Sequence, residues 1–232
     1  MDEPFRKETG DFPARLLSHL QGRTGLIETP IKVGETIYSI ARPSAADALL
    51  DEEEFARDER LPYWAELWPS SVALAGYLSK ERLVGRRTIE LGCGVGLPSV
   101  AALAGGARVT ATDHYAAALD FVRYNAHHNL GVEPETRLLN WHAPGAEDLG
   151  GFDLVLASDV LYERRNVSAL AALIPALLVP GGEIMLSDPR RTNTRAFLER
   201  MWGKGFRSST EECLVPSDGR EVVVLVHRLR CF

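Results

Sequence analysis

The chain has 232 residues, 45% of them hydrophobic and 25% charged, with a formal net charge of -6. That is the profile of a soluble globular protein long enough to bury a full core without staples or metals, and it suits one large α/β domain better than two small ones. It argues against an overall basic nucleic-acid footprint; Arg190 and Arg191 are the nearest approach to a local one.

No apolar run reaches the length of about 18 residues that a membrane helix needs. The opening "MDEPFRKETGDFPARLL" is charged and lacks the apolar core of a secretory signal. Cys93, Cys213 and Cys231 lie far apart with no C-x-x-C pair, so neither a disulfide framework nor a zinc site is expected. A reducing cytoplasm is the simplest home. No assembly segment stands out, and a monomer is the default expectation.

The first part of the chain, up to about Leu61, is less regular than the rest. "GLIETPIKVGETIYSIARP" holds two short alternating runs around Val33-Gly34-Glu35, which predict a hairpin. "DALLDEEEFARDER" is acidic and reads as a solvated helix or loop. From Pro69 a regular rhythm begins. Helix "SSVALAGYLSK" precedes strand "RRTIEL", a glycine loop and helix "LPSVAALAGG". Strand "ARVTATD", helix "AALDFVRYNAHHN", strand "TRLLNW" and the nearly continuous apolar strand "FDLVLASD" follow. Helix "RRNVSALAALIPALL" leads to strand "GEIMLSD", helix "TRAFLERMWGK" and two late strands, "FRSSTEECLV" and "REVVVLVHRL". Strands alternating with helices predict a parallel sheet covered on both faces. The last two strands have no helix between them, so they predict an antiparallel pair at one edge of a mixed sheet of about seven strands.

In such a sheet, ligands bind beyond the carboxyl ends of the strands. "ELGCGVGL" stands there, at the end of the first strand of the rhythm. Gly92, Gly94 and Gly96 remove three β-carbons, which lets the backbone approach a ligand and adopt positive φ. The following helix would point its N-terminus at a polar or anionic group. A dinucleotide fingerprint, G-x-G-x-x-G, needs a third glycine at position 97, which is Leu97. Acidic Glu90 would also crowd a pyrophosphate. A ligand carrying an amino group welcomes a carboxylate, so the loop fits S-adenosylmethionine (SAM) better than a nicotinamide dinucleotide.

Asp113 ends the next strand, and an acid there can accept both ribose hydroxyls of an adenosine. It could instead cap the following helix. Asn140 and Trp141 are expected to end the third strand, where they could meet the edge and face of an adenine or simply pack. Three other features promise less. His127 and His128 are adjacent on a predicted helix, so they do not share a metal-binding face. Cys93 lies inside the glycine loop, where its backbone matters more than its thiol. "SDPRR", Ser187 to Arg191, lies on the same rim and either shapes the acceptor channel or simply begins a helix.

With these residues in place, the chain resembles the class I, seven-β-strand SAM-dependent methyltransferases from about Tyr63 onward. "YWAELWPSSVALAGYL" and "SDVLYE" narrow the resemblance to methyltransferase family 16, which contains many protein lysine methyltransferases. The resemblance implies an α/β, Rossmann-like doubly wound sheet of order 3-2-1-4-5-7-6, its last strand pair antiparallel, with an N-terminal hairpin or helical extension. The division expected is 1–62 as that extension and 63–232 as the methyltransferase domain. Trp68, the glycine loop with Cys93 and Leu97, Asp113 with His114, Asn140, Trp141, and the Ala157-Ser158 turn would surround SAM. Glu90 would stand beside its amino group.

Asp159 and Tyr162, from the D-x-x-Y motif, would face the methyl-accepting nitrogen. If a helical turn follows the strand, both reach one side of the pocket. Asp159 would attract and orient an ammonium, and Tyr162 would wall the channel. Either residue could instead serve structure, as a helix cap or as packing. The function expected is methylation of lysine side chains on a protein substrate, with S-adenosylhomocysteine as the product. Methylation of a small amine or heteroaromatic nitrogen, and a non-catalytic SAM-binding partner protein, stay open. No metal, nucleic acid or membrane is expected.

Overall fold

A computed structural model of the chain describes residues 12–50, 61–143, 145, 149–217 and 219–231. Most of the acidic stretch read as a solvated helix or loop lies outside the described residues; within it, Asp47–Leu49 form one 3-10 turn. Helix α1 (Phe12–Leu20) leads into β1 (Leu26–Val33) and β2 (Thr36–Pro43). These two strands form the expected antiparallel hairpin, with Val33 opposite Thr36 and Gly34 at φ 59° in the turn. A 3-10 turn at Tyr63–Ala65 precedes α2 (Pro69–Leu78), whose proline sits in the first turn, where its missing N–H costs nothing.

The alternating part follows as β3 (Arg87–Leu91), α3 (Leu97–Ala104), β4 (Arg108–Asp113), α4 (Ala116–Leu130), β5 (Glu135–Leu138) and β6 (Phe152–Ser158). It continues with α5 (Arg164–Leu177), β7 (Leu178–Asp188), α6 (Thr192–Gly203), β8 (Phe206–Ser217) and β9 (Arg220–Cys231). The seven-stranded sheet has the order β5-β4-β3-β6-β7-β9-β8. Counted within the sheet this is 3-2-1-4-5-7-6, the order expected. Strands β3 to β7 pair in parallel, and β9 runs antiparallel to both β7 and β8. Two boundaries differ from the sequence reading. β5 stops at Leu138, so Asn140 and Trp141 stand in the loop beyond it. β7 begins at Leu178, ahead of the Gly181-Gly182 pair.

Period-two alternation divides the core between the two faces of the sheet. Along β6, Leu154 and Leu156 join the cluster under α2, α3 and α4, with Leu74, Val100 and Phe121. Val155 and Ala157 join the cluster under α5 and α6, with Ile174 and Phe197. A central parallel strand is buried on both sides, which is why "FDLVLAS" reads as one apolar run.

Two asparagines on α4 dock the hairpin. Asn125 Oδ1 accepts from Ala41 N at 2.8 Å, and its Nδ2 donates to Ala41 O and Val95 O at 3.0 and 2.8 Å. One helical turn on, Asn129 Oδ1 accepts from Ser39 N and its Nδ2 donates to Ser39 O, both at 2.8 Å. Four helical residues advance about 6 Å and two strand residues about 6.6 Å, so the amides meet alternate residues of the strand. They satisfy the edge of β2 that β1 leaves open. Through Val95 the same asparagine also reaches the loop after β3.

Candidate active site

Strand order reverses between β3 and β6, and a cavity of about 510 Å³ opens beyond the carboxyl ends of β3, β4 and β6. One wall is the glycine loop. Gly92, Gly94 and Gly96 have φ of 70°, 51° and 85°. A β-carbon at Gly96 would lie 2.2 Å from Val122 Cγ2, and one at Gly92 would lie 2.9 Å from the Trp141 ring. The glycines are therefore demanded by the protein's own packing as well as by any ligand. Several of the loop's amides are already engaged. Cys93 N donates to Thr112 O, Gly94 N to Asp113 Oδ2 and Gly96 N to Cys93 O, at 2.9, 3.0 and 2.8 Å.

Glu90 is not on the cavity wall. It is fully buried behind the loop, where its carboxyl takes the Ser99 hydroxyl at the start of α3. A side chain from behind thus fills the helix N-terminus that a phosphate would otherwise claim. Burial pushes the Glu90 carboxyl up to about 8. Ala157 is likewise fully buried within β6 and does not line the cavity, whereas Ser158 does.

Asp113 reaches the cavity from the end of β4 and is 6% exposed. Its Oδ2 holds Gly94 N, and its Oδ1 accepts from Tyr115 N at 3.0 Å. The N-cap of α4 is Tyr115, so Asp113 braces the loop rather than capping the helix. Burial raises its pKa, and the N–H donors oppose that. His114, Trp141 and Leu97 line the same wall. The Cys93 thiol is buried, which pushes it well above its ordinary range. Asn140 lines the cavity too, but its Oδ1 already accepts from His142 N at 3.0 Å in a local turn. The Trp141 Nε1 is buried and has no acceptor among the described residues.

The opposite wall comes from the end of β6 and the loop after it, the loop after β7 and the start of α2. Asp159 follows β6 in a left-handed conformation, φ 56°, with its N–H on Ser187 O at 2.8 Å. No helical turn follows β6, and the cap of α5 is Glu163, so Asp159 does not cap that helix. Asp159 and Tyr162 nevertheless both line the cavity. Burial pushes the Tyr162 phenol up to about 12, helped by the Glu163 charge. Its ring meets Tyr63 edge-on at 5.2 Å, and Tyr63 meets Trp68 edge-on at 5.9 Å, with Trp68 Nε1 on Tyr63 O.

Sequence reasoning missed Tyr63, His142 and Asn166 on this cavity, and it missed what Arg191 does there. Asn166 is buried, its Nδ2 on Val160 O and its Oδ1 beside His142 Nε2, and it ties the loop after β6 to α5. Arg191 Nε donates to Asp159 Oδ1. The basic pair in "SDPRR" was visible as a string, but a partner 32 residues away was not. His127 and His128 stand in the last turn of α4 beside Glu133 and Glu28, and no group of side chains among the described residues could hold a metal.

The fold and this cavity define a class I SAM-dependent methyltransferase. The family model described as lysine methyltransferase matches residues 55–204, and the chain belongs to that family. It is 33% identical over 136 residues to protein N-lysine methyltransferase METTL21A of Danio rerio, covering 56% of this chain and 62% of that one. It is 35% identical over 112 residues to a ubiquinone biosynthesis O-methyltransferase of Xanthomonas euvesicatoria, covering 47% and 46%. The chain thus spans less than two-thirds of the length of these curated relatives. Its fold is shared with magnesium protoporphyrin IX methyltransferase from Synechocystis, solved with bound SAM. That structure has a TM-score of 0.55 and 19% identity over 70% of this chain and 78% of the other.

SAM is the cofactor of this family, and the residues present fit it. A buried acid with the chemistry to accept ribose hydroxyls ends β4 at the cavity, a spare indole donor stands on the same wall, and the loop carries no basic side chain of the kind a pyrophosphate would want.

Proposed function

We propose that the protein is an N-methyltransferase acting on lysine side chains of a protein substrate. The observation that carries this reading is the placement of Asp159 and Tyr162 across one cavity from Asp113 and the glycine loop. When bound, SAM would supply an electrophilic methyl group on a sulfonium, whose leaving group is a neutral thioether. Asp113, His114 and Trp141 would hold its adenosyl end. Gly92, Cys93, Gly94, Gly96, Leu97, Asn140, Ser158 and Trp68 would enclose the rest, with Glu90 and Ala157 supporting from behind.

The protein's own work is alignment of the acceptor, the term that proximity and orientation supply. Asp159 attracts the incoming ammonium. Because a carboxylate also stabilises that ammonium, Asp159 does not make it a better nucleophile. Tyr162 walls the channel, and its raised pKa keeps it a neutral phenol that orients the amine rather than a base. The proton that nitrogen must lose goes to water.

The half-exposed Tyr63 and Tyr162 rings at the rim, each 38% exposed, and a family described by lysine methylation support a protein acceptor. The three free cysteines support a reducing cytoplasmic setting, and no helix among the described residues is long and apolar enough to cross a membrane. A monomer that uses no nucleic acid completes the reading.

The test is transfer of labelled methyl from SAM into a cell lysate, with Asp159→Ala as control and SAM binding measured separately. A discrete labelled protein that disappears with the variant, with methyl-lysine at the mapped position, is the expected result. Label confined to small molecules would replace the acceptor by a small amine or hydroxyl compound. SAM binding with no label anywhere would favour a non-catalytic partner protein.

A further inference from the structure

Asp159 already has a cation. Its side chain is 6% exposed and takes the Arg191 Nε–H, while the Arg191 side chain is 31% exposed to the cavity mouth. The backbone from which Arg191 springs is tied down. Arg191 N donates to Asp188 Oδ1 at 2.7 Å, Asp188 is fully buried, and His227 Nε2 lies 3.3 Å from its other oxygen. Arg190, at φ 61°, turns its own side chain away to Glu212. Tyr63, Trp68 and Tyr162 line the same cavity as the ion pair. One carboxylate with aromatic rings beside it is the composition that takes an alkylammonium ion.

We propose that Arg191 is the resident counter-ion of the acceptor subsite. It fills the corner made by Asp159 until an alkylammonium group replaces it. Acceptor affinity is then set by competition of two cations for one carboxylate. The inference rests on the reading that Asp159 faces the acceptor. A buried carboxylate without a partner is costly, and Arg191 supplies that partner and holds Asp159 aimed between turnovers. The competition also has a direction. A guanidinium keeps its charge even when buried, whereas the pKa of an alkylammonium falls readily on burial. Once the bound ammonium gives its proton to water, only Arg191 remains charged, and it retakes Asp159. Arg191 is thus a positioning residue that works through Asp159.

The test uses n-butylammonium chloride as the probe, titrated into the full chain loaded with S-adenosylhomocysteine and followed by calorimetry. Arg191→Gln is expected to bind the probe about fivefold more tightly than the unaltered protein, the size of one partly exposed charge pair. Arg191→Lys keeps a competing cation and is expected to stay near the unaltered value. Asp159→Asn should weaken the probe both alone and when combined with Arg191→Gln. Equal or weaker binding by Arg191→Gln, with Asp159→Asn still weakening the probe, would overturn the competition and leave the acceptor reading standing. No effect of Asp159→Asn, alone or in the double variant, would overturn the acceptor reading itself. A second measurement needs no unfolding-prone variant. In the unaltered, nitrogen-15-labelled protein, the Arg191 Nε–H signal should shift as the probe saturates, and an unmoved signal under saturation would also overturn the proposal.

Discussion

The wall of the cavity built by β3 and β4 differs in kind from the wall built by β6 and β7. On the first, the turn is set by three positive-φ glycines, and their amides are held by backbone carbonyls and one aspartate. A second acid, Glu90, braces the helix start from inside the core through the Ser99 hydroxyl. On the other wall, the functional groups are long side chains. Asp159, Tyr162, Tyr63 and Arg191 come from three segments and meet through rings and one ion pair. The first wall is fixed by covalent geometry and close packing, which leave no room to adjust. The second is fixed by contacts that a competing ligand can exchange. A cofactor common to a whole family suits the first construction, and an acceptor that varies among relatives suits the second.

The sharpest way to break this contrast is to add one methyl group to the rigid wall. Gly96→Ala places a β-carbon 2.2 Å from Val122 at φ 85°. It should cost about 2–5 kcal/mol of stability, read as a shift in the urea midpoint. Gly131→Ala is the control. Its φ is 70° with nothing within 4 Å, so strain alone should cost about 1–2 kcal/mol. Equal costs at the two positions would mean that packing does not set the loop.

Next in size is the acid proposed to hold the cofactor. Asp113→Ala should weaken SAM binding roughly 10- to 100-fold by calorimetry, about the worth of hydrogen bonds to a charged group. Asp159→Asn should leave SAM affinity within about twofold, since exchange on the opposite wall does not reach the loop.

Glu90 sharpens the same comparison through pH. Its folded pKa of about 8 lies above the ordinary 4.5, so between those values the folded chain holds a proton that the unfolded chain has released. That contribution is fully present below about pH 4.5 and is lost as pH rises through about 8. Glu90→Gln should flatten the decline. Its stability, followed by thermal melting, should gain on that of the unaltered protein as pH rises from 5 to 8.5, by an amount on the order of a few kcal/mol at most. The smallest effect belongs to the adjustable wall. Tyr162→Phe keeps the ring and should lower kcat/KM only a few-fold, about one neutral hydrogen bond, with stability unchanged.

What could be read from the chain follows the same division. The alternating strands and helices, the loop and Asp113 are carried by short-range signals, namely periodicity, glycine spacing and strand ends, whereas the sheet order followed only from the family resemblance. "FDLVLAS" shows a central strand because burial on both faces leaves it no polar side. Other features depend on partners distant in sequence. Nothing near Asp159 shows that Arg191 will sit on it. Nothing in "ELGCGVGL" shows that Glu90 points inward to Ser99 rather than toward a ligand. Asn140 belonged to the strand by pattern, yet the strand ends two residues before it and its side chain closes a turn.

Asn125 and Asn129 carry a consequence for how the chain acquires its structure. The contact from Asn125 to Ala41 spans 84 residues, and the one from Asn129 to Ser39 spans 90. Closing loops of that size is slow relative to forming either partner, and neither amide can find the strand until α4 is wound and the hairpin is paired. Docking of the N-terminal hairpin is therefore a late event in folding. Because Asn125 also holds Val95, the loop after β3 gains its last restraint in that same step. A chain released during synthesis would present its first strands long before the helix that secures them exists. The unpaired edge of β2 is then the segment most in need of protection from neighbours.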